Sequence, residues 1–273
     1  MKLLYWAPVA EQIIEQTKAY VAEHPLWYLA IFVCGENHPG MAYVNRKVAL
    51  WEKLGIEVKL FWNMNEYENT AALINAITIV SSDAWCSGVI VQLPLPVAFA
   101  ADTQRILDAV APEKDVDWLW SYAKIAPATP LAVMETLQYY AYDVAWVRVA
   151  MVGQSGLIWL PLTKLLREDG AIVETFDINS DPAQMRSICK ASDIIISATG
   201  ALHLIDETFV RKDTSQVIID VGRWMIDGKP AGDVDSQSIG QYVAAITPVP
   251  GGIWPVTVAQ LFANMVLLAQ RIS

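Results

Sequence analysis

Two apolar rhythms alternate along the chain. Tyr28-Leu29-Ala30-Ile31-Phe32-Val33-Cys34 is unbroken and closed by Gly35, as expected of a strand buried on both faces. Before it, Val9, Ile13, Ile14, Ala19, Tyr20 and Val21 recur at helical spacing and predict an amphipathic helix over 9–22. After it, a Gly- and Pro-marked turn at 35–40 leads into a helix carrying Tyr43 and Lys47. Strands near 56–61 and 88–91 and helices near 70–79 and 98–110 continue the alternation. A polar, proline-bearing stretch around 112–130 then separates a second series. It comprises helix 131–142, strand 147–152, a helix from about Pro161, strand 172–176, and strands near 194–196 and 217–219. The apolar helix 256–271 is expected to pack back on the first domain. Strands alternating with helices specify an α/β chain with parallel, doubly wound sheets, whose ligands lie beyond the carboxyl ends of the strands. The expected division is 1–125 together with 250–273, against 126–249.

Composition narrows the class. The 273 residues suffice for two medium domains with full cores. Although 54% are hydrophobic, no apolar run reads as long enough to span a bilayer, and the first residues lack a signal-peptide core. Cys34, Cys86 and Cys189 are odd in number and far apart, which excludes a disulfide framework and suits a reducing cytoplasm. A net charge of −10 argues against nucleic acid as a partner. His24, His38 and His203 have no metal-ligand spacing, so no metal is expected.

The candidate chemistry lies at strand ends. Tyr43 and Lys47 are four apart and share a helix face, an aromatic wall beside an amine. A lysine among apolar neighbours can lose its charge near neutral pH and move protons. Gln92 follows a buried strand and precedes Pro94 and Pro96, placed to orient that amine. In Lys114-Asp115-Val116-Asp117, otherwise a solvated charge run, Asp117 can bind an amino group of a ligand. Gly153-Gln154-Ser155-Gly156 joins a strand to a helix, where backbone N–H groups can face a pyrophosphate. Asp177, ending the next strand, can accept from a ribose 2′-hydroxyl and would repel a 2′-phosphate. The same residues also fit an ordinary β–α turn and a solvated aspartate. Pro248-Val249-Pro250-Gly251-Gly252 is a stiff loop whose backbone can approach a ligand closely.

Taken together, Tyr43-x-x-x-Lys47, Val91-Gln92-Leu93-Pro94-Leu95-Pro96, Lys114-Asp115-Val116-Asp117, Gly232-Asp233-Val234-Asp235 and the run 247–257 resemble the bifunctional methylenetetrahydrofolate dehydrogenase/methenyltetrahydrofolate cyclohydrolase family. They do so in the same order over nearly the whole chain. The resemblance implies an N-terminal α/β catalytic domain, a Rossmann-type NAD(P)-binding domain, a folate cleft between them and a cytoplasmic homodimer. It implies tetrahydrofolate substrates, NADP or NAD as cofactor, and no nucleic-acid or membrane partner. Lys47 would be the essential amine, held by Gln92, with Tyr43 flanking the folate rings and Asp117 anchoring the pterin. Pro250, Gly251 and Gly252 would line the folate. Gly153, Gln154, Ser155, Asp177, Thr129 and Gly200 would hold the nucleotide.

Departures from the family pattern carry information. Gln154 stands where the family usually has an arginine for the 2′-phosphate, which with Asp177 leans toward NAD. Pro127-Ala128-Thr129-Pro130 replaces a cysteine-bearing version and follows a shortened segment. Tryptophan stands where glycine is usual at Trp6, Trp118, Trp146, Trp159 and Trp254, in a chain with 11 Trp and 14 Gly. Drift would not choose one substitution repeatedly, so these positions read as UGA glycine codons rendered as tryptophan. UGG codons at all five would exclude this. With tryptophan retained, the alternative is a catalytically degenerate relative that binds a folate, nucleotide or protein partner. A shikimate-type dehydrogenase would leave the two proline motifs unexplained.

Overall fold

A computed structural model of the chain describes residues 1–34, 41–61, 67–119, 126–153, 156, 159–222, 224–226 and 229–272, without the side chains of Ala42, Tyr43, Arg271 and Ile272. In chain order the strands and helices are β1 (Lys2–Leu3), α1 (Trp6–Glu23), β2 (Tyr28–Phe32), α2 (Met41–Lys53), β3 (Glu57–Phe61), α3 (Thr70–Ser82), β4 (Cys86–Val91), α4 (Val97–Ala100), α5 (Thr103–Leu107) and α6 (Ala128–Tyr139). They continue with β5 (Arg148–Val152), α7 (Trp159–Glu168), β6 (Ile172–Phe176), α8 (Pro182–Ala191), β7 (Ile194–Ser197), β8 (Val217–Asp220), β9 (Trp224–Ile226), β10 (Lys229–Ala231), α9 (Ser236–Ile239), β11 (Ala245–Ile246) and α10 (Ile253–Ile272). They form two compact units, one of residues 13–128 with 258–273 and the other of 1–12 with 129–257.

In the unit of residues 13–128 with 258–273, β3, β2 and β4 pair in that order and all in parallel. The five residues of β2 are all buried, as the unbroken apolar run requires, because core packs on both faces of the strand. One face meets Trp51, Phe262 and Met265, and the other meets Leu73, Ile77 and Ile106. Leu261, Phe262, Met265 and Leu268 of α10 belong to the first of these clusters, so the last helix is part of this core. By length and composition alone α10 is long and apolar enough to cross a bilayer, where no such run was expected. Yet 61% of the 18-residue apolar window is buried in the protein. Its polar members are also bonded internally, with the Gln260 amide donating to Asn264 and the Asn264 amide to the Val116 carbonyl.

The other unit holds a six-stranded parallel sheet ordered β1-β11-β8-β7-β5-β6 and a β9–β10 hairpin. The order reverses at β5, so β5 and β7 flank a switch point, where open α/β sheets bind ligands. Periodicity missed β1, since two residues carry no period. Leu4, next to it, donates to the Ile246 carbonyl and is fully buried. The single helix expected over 98–110 is two short ones, interrupted at Asp102, whose carboxylate accepts the Thr70 hydroxyl. Short polar side chains with partners outside the helix weaken helix interiors. The helix expected over 131–142 begins and ends three residues earlier. Ala141 at φ 60 closes it, with Tyr142 donating back to Leu137 and Ala141 to Gln138.

Two of the five anomalous tryptophans occupy the left-handed backbone region: Trp118 at φ 55 and Trp146 at φ 65. Glycine populates that region freely, while other L-residues there cost about 1–2 kcal/mol. Trp6, Trp159 and Trp254 lie in the first turns of α1, α7 and α10 and make no such demand. Trp118 is buried in the core around β2, so truncating it also removes packing. Trp146 is 85% exposed and has little packing to lose. Trp146→Gly is therefore expected to raise stability by about 1 kcal/mol, or about 2–4 °C in Tm. A thermal melt showing an unchanged or lowered Tm would contradict this.

Candidate active site

Lys47 lies two turns into α2, on the face turned to the sheet, and is 2% exposed. Its Nζ donates to Gln92 Oε1 at 3.1 Å. Gln92 stands just past β4, its N–H on the Phe32 carbonyl and its amide nitrogen donating to the Leu93 carbonyl at 2.7 Å. Those bonds fix the side chain so that its oxygen faces the amine. The two residues are 45 apart in sequence, and the parallel pairing of β2 and β4 brings them together.

Burial pushes the Lys47 amine below the ordinary lysine range, with the Asp117 carboxylate opposing the shift. Burial also pushes the Asp117 carboxyl above its usual range, opposed by Lys47. Both shifts favour uncharged forms, and each partner restrains the other. An amine so placed gives up its proton more readily than an exposed lysine does, which is the direction that general acid–base catalysis requires. Asp117 follows Val116, whose carbonyl is held by Asn264 of α10. Gly88 makes room for Val116: a Cβ there would overlap the valine side chain. The sequence reading missed Asn264. Its signal is Gln260-x-x-x-Asn264, two amides one turn apart on an otherwise apolar helix. The Tyr43 side chain lies outside the described residues.

In the six-stranded unit, Gly153 follows β5 at φ 144, and a Cβ on it would overlap the Ala198 carbonyl. Its N–H donates to the Phe176 carbonyl at 3.0 Å, while that of Ala198 donates to Val152 at 2.8 Å. Thr199 and Gly200, the latter at φ 62, form the turn after β7. Asp177 follows β6, and its Oδ1 accepts the Asn179 N–H in a local turn. Gly153, Gly200 and Asp177 thus stand at the carboxyl ends of three adjacent parallel strands. Gln154 and Ser155 lie outside the described residues. Thr129, in the first turn of α6, lies 3.5 Å from the Thr257 hydroxyl. Gly251 has φ 105, and a Cβ on Gly252 would sit 2.7 Å from the Pro248 carbonyl, so this loop needs both glycines. Trp254 Nε1 donates to the Val221 carbonyl at 3.0 Å, which ties the indole within its own unit.

Residues 5–117 match the tetrahydrofolate dehydrogenase/cyclohydrolase catalytic domain, and residues 127–273 match the NAD(P)-binding domain of the same enzymes. The chain belongs to the tetrahydrofolate dehydrogenase/cyclohydrolase family. A relative from Macrococcus caseolyticus, a bifunctional protein FolD, is 34% identical over 276 residues, covering 98% of this chain and 94% of its own. Among solved structures, the bifunctional 5,10-methylenetetrahydrofolate dehydrogenase/cyclohydrolase of Thermoplasma acidophilum superposes with a TM-score of 0.89 at 28% identity, covering 99% and 98% of the two chains. The Trypanosoma brucei enzyme, complexed with NADP and an inhibitor, gives 0.89 at 26% identity, over 99% and 97%. The family, the two-domain α/β architecture and the nucleotide-binding second domain accord with the sequence reading.

Proposed function

We propose that this protein oxidises 5,10-methylenetetrahydrofolate to 5,10-methenyltetrahydrofolate with NAD(P)+ and hydrolyses the product to 10-formyltetrahydrofolate. The observation that carries this is the buried Lys47–Gln92 pair, with Asp117 acting on the same amine, in a chain matching both family domains. A degenerate binding protein would have no use for a buried amine held by an amide, since an isolated buried cation costs stability.

In this reading Lys47 exchanges the proton that lets water add to the methenyl carbon and the ring open. Gln92 aims the amine, Tyr43 flanks the folate rings and Asp117 binds the pterin amino group. Pro250, Gly251 and Gly252 present backbone to the folate. Gly153, Gln154, Ser155 and Gly200 receive the pyrophosphate, with Thr129 beside them. When bound, the nucleotide supplies the hydride acceptor; the chain's task is to hold it in position. The functional boundary near residue 126, with the tail from about 250 serving the folate domain, is part of the same reading, as are a homodimer and a cytoplasmic location.

Asp177 and the absence of an arginine at Gln154 favour NAD over NADP, because a carboxylate repels a 2′-phosphate. The test is steady-state oxidation of methylenetetrahydrofolate with each nucleotide. We expect kcat/KM at least about tenfold higher with NAD, which corresponds to one charge repulsion of about 1.4 kcal/mol. A preference for NADP would overturn the assignment, and no turnover with either nucleotide would favour the degenerate alternative.

A further inference from the structure

Two buried carboxylates tie together strand ends in the six-stranded unit, and the roles above use neither. Asp220 ends β8 and is 3% exposed, while Asp233 is fully buried. The Asp220 carboxylate accepts three backbone N–H groups: Gly222 at 2.8 Å and Asp233 at 3.1 Å on Oδ1, and Val234 at 3.0 Å on Oδ2. Asp233 Oδ2 in turn accepts the Ser197 hydroxyl at 3.0 Å and the Thr199 N–H at 2.6 Å. Its Oδ1 is buried with no hydrogen-bond partner among the described residues. Gly222 and Gly232 make the arrangement possible, since a Cβ on either would overlap the facing carboxylate.

Such a device is expensive, because buried carboxylates lose hydration. Burial, with the neighbouring Asp233 charge adding to it, pushes Asp220 up to about 7, whereas its backbone donors act against the rise. What the pair achieves is local. It sets the Thr199 N–H, and the Thr199 hydroxyl then accepts from Ala201 at 2.9 Å, closing the turn around Gly200. That turn abuts Gly153 across the switch point of the sheet.

We propose that Asp233, held in place by Asp220, is the positioning residue for the nucleotide turn 198–200. It orients the Thr199 backbone so that the turn and Gly153 together accept the dinucleotide. The proposal rests on the reading that this unit binds NAD(P).

The experiment is Asp233→Asn in the full-length protein, with nucleotide KM, saturating kcat and cyclohydrolase activity measured in parallel. Hydrogen bonds to a carboxylate are the strong ones, so nucleotide KM should rise about tenfold or more. Saturating kcat and the cyclohydrolase, which needs no nucleotide, should stay within about twofold. An unchanged nucleotide KM overturns the proposal, as does a parallel fall of both activities in a folded variant. If Asp233→Asn fails to fold, Ser197→Ala removes one donor and should raise nucleotide KM about threefold; a wild-type KM would then be decisive against it. No wild-type turnover with either nucleotide would instead remove the functional reading beneath.

Discussion

Lys47→Met is expected to lower cyclohydrolase kcat by about 10²- to 10⁴-fold, the range that positioned general acid–base groups supply. Methionine keeps the buried apolar stem and deletes only the amine, so the loss isolates proton transfer. The fold should survive for a reason visible in the site. Burial lowers the pKa of Lys47 below that of the unfolded chain. Between the two values the unfolded chain carries the extra proton, so raising the pH through that window favours folding. Below the lowered value the desolvation cost is present in full, and methionine does not have it. Against this stands the Gln92 carbonyl oxygen, which loses the amine and costs about 1–3 kcal/mol if left unpaired. The two effects oppose, so the melting temperature should move by a few degrees at most near pH 7. It should also lose part of its rise toward alkaline pH. Initial-rate assays on methenyltetrahydrofolate and melts at two pH values measure both. Wild-type rates in a folded Lys47→Met protein would remove the amine from the mechanism.

How far this site was legible follows from what sequence carries. Tyr28–Phe32 announced a buried central strand because both its faces meet core. The parallel sheets then followed from alternation. Lys47 and Gln92 were another matter. No periodicity relates residues 45 apart; their positions at strand ends suggested the pairing, and the ordered motifs resembling a known family strengthened it before the geometry did. Asp233 stood only inside the motif Gly232-Asp233-Val234-Asp235, and Asp220 only just past a strand expected near 217–219. Their hydrogen-bonded network depends on how two strand ends and a returning segment meet, and no local spacing encodes that. The break at Asp102 and the early end of α6 at Ala141 were equally hidden. One rests on a tertiary partner, Thr70, and the other on a left-handed alanine where glycine would have given the signal. Trp118 and Trp146 are the converse case: composition raised the question, and the backbone angles at those two positions are those glycine suits best.

Gly153→Ala is the second large effect. Two costs coincide at this position. The backbone sits at φ 144, where an L-residue is strained by about 1–3 kcal/mol. An added Cβ would also overlap the Ala198 carbonyl, a backbone group in the neighbouring strand end that cannot swing away. Forcing β5 and β7 apart there costs a further ~1–3 kcal/mol and breaks the Ala198-to-Val152 hydrogen bond that extends their pairing. The sum is about 2–6 kcal/mol, or a fall in Tm of about 5–20 °C. Dehydrogenase activity should be lost at temperatures where the cyclohydrolase persists, because the distortion falls on the proposed nucleotide turn and not on the unit bearing Lys47. Two other glycines separate the causes. Gly200 has a left-handed φ of 62 but open space around its missing Cβ, so Gly200→Ala carries strain alone, about 1 kcal/mol. Gly156 has open space and no left-handed φ, so Gly156→Ala should leave the melt unchanged. If all three variants melt alike, close approach of β5 and β7 is not what Gly153 serves.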